Sequence, residues 1–161
     1  MTAGSDRYDA LRWHDNIVYA LHFGAGDPDR GVWRSDLVLD IDHIVEWICG
    51  TDGGAKFRVA PATLVFHDVT DLRISIDCGA RAVRGALNEL SIAAITREPV
   101  HEQGAAGRFP YFLWRIELNL PQGGEIAFGA SGFTQTLRAA PQMLEEQRLP
   151  ASTRPHLMQG Q

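Results

Sequence analysis

Asp36, Asp40, Asp42 and Glu46 crowd one short stretch of this chain, with His43 among them. Carboxylates two positions apart on a β-strand stand about 6.6 Å from each other at the backbone, from a rise near 3.3 Å per residue. That spacing matches the acid and base of an inverting glycosidase. Asp40, Asp42 and Glu46 are therefore the candidates for a small carboxylate-based hydrolase, with His43 completing an acid–base or metal site. The same pattern also describes a solvated strand face, acids outward and apolar residues inward, on which Asp36, Asp40, Asp42 and Glu46 form an acidic docking surface. Burial separates the two, because a catalytic carboxylate needs partial desolvation to raise its pKa.

The pairs His14-Asp15 and His67-Asp68 offer imidazole nitrogen and carboxylate oxygen, so a metal-assisted alternative would draw on His14, Asp15 and His43. No H-E-x-x-H segment supports it. Nor does the chain carry a nucleophile elbow, since Gly129-Ala130-Ser131-Gly132 lacks the G-x-S-x-G spacing. Gly24-Ala25-Gly26 lacks the third glycine of a dinucleotide fingerprint, and no cofactor is expected. Cys49 and Cys78 read as small core residues without a basic neighbour to form a thiolate. Of the four tryptophans, Trp114 belongs to an apolar face. Trp13 and Trp33 sit at strand entries beside Arg12 and Arg34, where a partly exposed ring would anchor a partner, and Trp33 joins the acids as a binding candidate.

These residues must be positioned by short strands. From Asp36 to Ile48 the odd positions are Leu37, Leu39, Ile41, His43, Val45 and Trp47, a period of two, although Ile41, Ile44, Val45 and Ile48 also fit a helix. The density of Ile and Val favours a strand. Ile17 to Phe23 reads as a first strand, and Thr51 to Gly54 as a turn. Phe57 to Val69 reads as a strand that Pro61 must interrupt or place at an edge. Leu72 to Cys78 alternates after a corner at Asp68 to Asp71. Residues 80–99 fit helix or strand equally. Residues 101–108 read as a loop. Phe112 to Leu120, Pro121 to Gly124 and Ile126 to Ala130 form a hairpin, a bulge follows at Gly129 to Gly132, and Phe133 to Leu137 closes the series. The expected architecture is a single-domain, all-β, antiparallel sandwich or partly closed barrel of about seven to nine strands. It spans residues 14–140, after a flexible N-terminal segment at 1–13 and before a short helix or disordered tail at 141–161.

Composition narrows the partners. With 161 residues, 45% hydrophobic and 22% charged, the chain can build one core without staples. Its formal charge of −5 and the absence of a Lys/Arg-rich tract argue against nucleic acid. Residues 14–80 hold eleven acids against five bases, so a basic protein partner would meet the front half. No apolar run reaches the length of a membrane span, and a cytoplasmic location is expected. Homodimerisation through an exposed strand edge is a further possibility.

At His14-Asp15-Asn16-Ile17-Val18-Tyr19, at Leu37 to Trp47 and at Gly129-Ala130-Ser131-Gly132-Phe133-Thr134-Gln135, the chain resembles a family of uncharacterised bacterial all-β proteins, over about residues 14–138. The resemblance brings no activity. An opening His-Asp before a strand, L-x-L-D strands and Val69-Thr70-Asp71-Leu72 are also similar to immunity proteins of bacterial polymorphic toxin systems. That similarity implies a non-catalytic binding module that inhibits a toxin by covering it, and it carries over no catalytic residue. The expected function is accordingly a binding or interaction protein with an acidic face, the metal-assisted or carboxylate-based hydrolase being the alternative.

Overall fold

The computed structural model describes residues 8–51, 53–78, 89–100 and 110–154. Among them nine strands form one antiparallel sheet: β1 (Ile17–Gly24), β2 (Asp36–Cys49), β3 (Ala55–His67), β4 (Thr70–Ser75), β5 (Leu90–Pro99), β6 (Phe112–Leu120), β7 (Glu125–Ala130), β8 (Gly132–Leu137) and β9 (Gln142–Leu144). The order is β4-β7-β6-β5-β1-β2-β3-β8, with β9 also on β3, and the sheet does not close. Its halves meet at a narrow joint, where β1 and β5 share only the pairs Ile17 with Ser91 and Val18 with Leu90. The sheet bends there and folds over itself. Phe66 on β3 consequently meets Trp114 on β6 at 5.0 Å and Phe128 on β7 at 4.8 Å between ring centroids. Of the sandwich or partly closed barrel of about seven to nine antiparallel strands expected from the sequence, the chain forms the all-β single domain, built among the described residues as one open nine-stranded sheet.

Period-two burial builds β2. Leu37, Leu39 and Ile41 are wholly buried in the core, while Asp36, Asp40 and Asp42 take the opposite face as alternation requires. A register shift between Ile44 and Glu46 breaks the period and leaves Val45 exposed. Pro61 neither interrupts β3 nor lies at the sheet edge. Its carbonyl accepts from Arg138 N–H at 2.7 Å, so its nitrogen faces the same side. There β3 exchanges one neighbour for another, β8 reaching Ala62 and β9 beginning at Val59. The missing donor thus falls at a gap between strands.

The segment read as a flexible N-terminus is packed from Tyr8 onward. Trp13 is 5% exposed and its indole N–H donates to Gln135 at 2.8 Å, while Tyr8 OH donates to the Ile95 carbonyl at 2.9 Å. Both rings fill the open side of the bent sheet, so Trp13 is no surface anchor. Of the segment read as a short helix or disordered tail, residues 141–154 form β9, a strap that buries Leu149 at 1% exposed, and a short 3-10 helix at Ala151–Thr153, while 155–161 lie outside the described residues. The cause is the outward face of β2 and β3: Ile44, Phe57 and Val59 would stand in water unless Leu144 and Leu149 covered them. Cys49 and Cys78 are exposed, not core residues. Gly129 to Gly132 is a strand switch rather than a simple bulge, because β7 pairs with β6 and β4 whereas β8 pairs with β3. Of the ambiguous stretch, Leu90–Pro99 is strand; 80–88 and the expected loop at 101–108 lie outside the described residues.

Candidate functional site

The acids of β2 meet different fates. Asp40 and Asp42 are 1% and 0% exposed. The Arg154 guanidinium grips Asp42 with Nε 3.2 Å from both oxygens and Nη2 2.7 Å from Oδ2. Leu149 N–H adds a third donor at 3.0 Å. Asp40 Oδ1 accepts from Thr63 Oγ1 at 2.7 Å and lies 3.7 Å from Arg138 Nη2, while Oδ2 has no hydrogen-bond partner among the described residues. Arg138 also bonds Tyr19 OH, and Arg154 lies 4.7 Å over the Tyr19 ring. The network clamps the strap onto the sheet. It removes Asp40 and Asp42 from the docking surface that the alternation suggested, because Leu149 and Arg154, more than a hundred positions away, cover Asp42, and Thr63 and Arg138 enclose Asp40.

Asp36 and Glu46 remain accessible, with side chains 40% and 53% exposed. They stand ten positions apart on β2, on the order of 33 Å, so they do not form one patch. Glu46 pairs with Arg58 at 3.2 Å across the strands. Asp36 lies 3.5 Å from His67 Nδ1, and His67 Nε2 is 2.9 Å from Thr134 Oγ1. Next to them Asp68 receives Ser131 Oγ at 2.6 Å and Arg34 at 3.3 Å. These contacts fasten the corner to β8. Trp33 is 79% exposed on the loop between β1 and β2, as a partner anchor requires.

The metal alternative does not assemble. His14 pairs with Asp15 at 3.1 Å. Asp15 in turn accepts from Asn119 at 2.8 Å and Gln147 at 3.2 Å, while His43 is engaged with Asn16. Among the described residues no three His, Cys, Asp or Glu side chains come together as a metal site.

His43 keeps the apolar side of β2 on which the period of two puts it, apart from the acids. It points inward on β2, 5% exposed. Ile44 N–H donates to Asn16 Oδ1 at 3.1 Å, which leaves the Asn16 amide to donate to His43 Nδ1 at 2.8 Å. The imidazole proton therefore sits on Nε2. Burial pushes the His43 pKa down to about 4, so the ring is neutral at pH 7. Its Nε2 has no partner among the described residues, and the ring lines a cavity of about 810 Å³. One wall is β8 from Gly132 to Leu137; the other is Ala10, Leu11 and Arg12 of the packed N-terminus. Among the described residues of the lining, Arg12 is the one with a charged side chain, and Phe112 and Phe133 add apolar surface.

Strand β8 also presents its backbone. Because Arg138 N–H bonds Pro61, antiparallel alternation turns the backbone groups of Thr136 and Thr134 toward β3 and those of Leu137, Gln135 and Phe133 away from it. No strand of the described residues pairs with that edge.

Protein-family models, curated proteins and solved structures yield no match to this chain. Among the described residues no helix is long and apolar enough to cross a membrane.

Proposed function

We propose that this chain is a non-catalytic interaction protein that engages a polypeptide along the free edge of β8. One observation carries the reading. Among the described residues, a strand edge that no other strand pairs runs beside a cavity of about 810 Å³ whose lining holds Arg12 and His43, the latter with Nε2 unengaged. Backbone N–H and C=O groups of Phe133, Gln135 and Leu137 would supply affinity by extending the sheet, and the cavity would receive alternate side chains. The hydrolase reading is weaker, since Asp42 is neutralised by Arg154 and Glu46 is far from Asp40 and Asp42 in setting, exposed and paired with Arg58. An immunity-like role, in which the protein covers a toxin, is the form of this function that the sequence resemblance suggests. The formal charge of −5 would steer a basic partner toward it. Exposed Trp33 would add a second anchor.

A library of random short peptides displayed on phage tests the reading. Selected peptides should shift the amide resonances of Phe133, Gln135 and Leu137 and the His43 ring signal. Leu137→Pro, which removes only an outward N–H, should weaken them at least tenfold. Selected peptides that perturb none of these positions would overturn the proposal.

A further inference from the structure

Resting on that reading of the β8 edge, we infer that the edge is built to take a second copy of this chain, joined β8 to β8 about a two-fold axis through Gln135. Phe133-Thr134-Gln135-Thr136-Leu137 reads nearly the same in both directions, apolar, Thr, Gln, Thr, apolar. An antiparallel pairing centred on Gln135 sets Gln135 opposite itself, Phe133 opposite Leu137 of the second copy, and Thr134 opposite its Thr136. The outward backbone groups are those of Phe133, Gln135 and Leu137. Gln135 and its copy therefore form a hydrogen-bonded pair, exchanging two N–H···O=C bonds related by the axis, and the two flanking pairs exchange bonds in the same way. The axis through Gln135 thus falls on a hydrogen-bonded pair; with the other parity it would fall on a non-hydrogen-bonded pair and the bonds would pass to Thr134 and Thr136.

The side chains agree with the backbone. Thr134 and Thr136 are exposed on the outer face, and the pairing makes two cross-strand Thr–Thr contacts there. The segment contains no charge and no proline, and its pairing to β3 runs without a register shift. Within its own residues it thus carries no charge, proline or bulge of the kind that ordinarily keeps an edge from pairing. The opposite terminal strand is guarded: β4 carries Asp71 and Arg73, and its pairing to β7 slips between Thr70 and Arg73. Although the whole chain is anionic, uncharged β8 brings no like charges face to face along its own length.

Sedimentation equilibrium of the full chain over a wide concentration range should show a species of twice 17.8 kDa. Thr134→Lys/Thr136→Lys places Lys opposite Lys across the axis and should halve the mass. Thr134→Glu/Thr136→Lys places Glu opposite Lys and should restore the dimer, a result specific to this register. Circular dichroism checks that both variants remain folded. Leu137→Pro, whose lost N–H bonds nothing within the subunit, gives the same monomer if the lysine pair does not fold. A wild-type chain that stays monomeric overturns self-pairing while leaving phage-selected peptides free to dock on β8. A dimer indifferent to the lysines, or one that neither double variant retains, overturns it as well.

Discussion

His43 shows how a single side chain couples burial to proton binding. Its pKa falls from 6.5 to about 4 because the ring is desolvated, and protonation would also set an Nδ1 proton against the Asn16 amide that now donates to it. The sign follows. Between pH 6.5 and 4 the unfolded chain binds the proton and the folded chain does not, so stability is full above 6.5 and declines as pH falls toward 4. The loss is about 3 kcal/mol, from 1.36 kcal/mol per pH unit. Urea unfolding of wild type and His43→Gln at pH 7, 5.5 and 4 measures it, since Gln accepts the Asn16 hydrogen bond without titrating. A difference that stays constant across the series, or an NMR titration midpoint of the His43 ring near 6.5, contradicts the assignment.

At the scale of elements, the strap from β9 to Arg154 is held by an ion pair whose removal should cost more than its presence contributes. Asp42 is wholly buried, so Arg154→Met strands a carboxylate against the Leu149 N–H alone and should cost about 3–5 kcal/mol. Asp42→Asn/Arg154→Met removes the charge and keeps an acceptor for the Leu149 N–H. It should be less destabilising than Arg154→Met alone, a coupling that a double-mutant cycle in urea resolves. A single-variant cost below about 1 kcal/mol means that the carboxylate is not stranded. The same strap marks what the sequence could tell. Period-two burial made β2 and its opposed acids legible, because Leu37, Leu39 and Ile41 alternate with Asp36, Val38, Asp40 and Asp42. The β6–β7 hairpin was legible for the same reason, with Pro121 to Gly124 at its turn. Cover from a distant segment leaves no local trace. Nothing between Leu37 and Trp47 announces that Leu149 and Arg154 will lie over Asp42, and the polar residues of the strap read as a tail. The period of two placed the imidazole on the apolar side, but its partner was concealed, since nothing near His43 announces that Asn16 will be brought beside it.

The whole molecule is one sheet folded on a hinge of two residue pairs, an arrangement in which the halves would open independently were backbone pairing their only link. Aromatic packing ties them instead. Phe66 is wholly buried; it contacts Trp114 and Phe128 in the far half and Phe133 at 6.3 Å in its own. Trp13 and Tyr8 wedge the open side, Tyr8 touching Trp114 at 5.7 Å and Trp13 touching Phe133 at 5.6 Å. Core side chains thus belong to both halves at once, and neither half retains an apolar face it can cover alone. Unfolding should be a single cooperative transition. Hydrogen exchange at Ile41 in β2 and at Ile116 in β6 should report the same opening free energy. Phe66→Ala should lower both by the same amount, about 3–5 kcal/mol. Tryptophan fluorescence and far-ultraviolet circular dichroism should lose their native signals at one urea concentration. If Ile116 keeps its protection in Phe66→Ala while Ile41 loses it, the β4–β7 half folds on its own and the hinge, not the aromatic core, governs how the molecule comes apart.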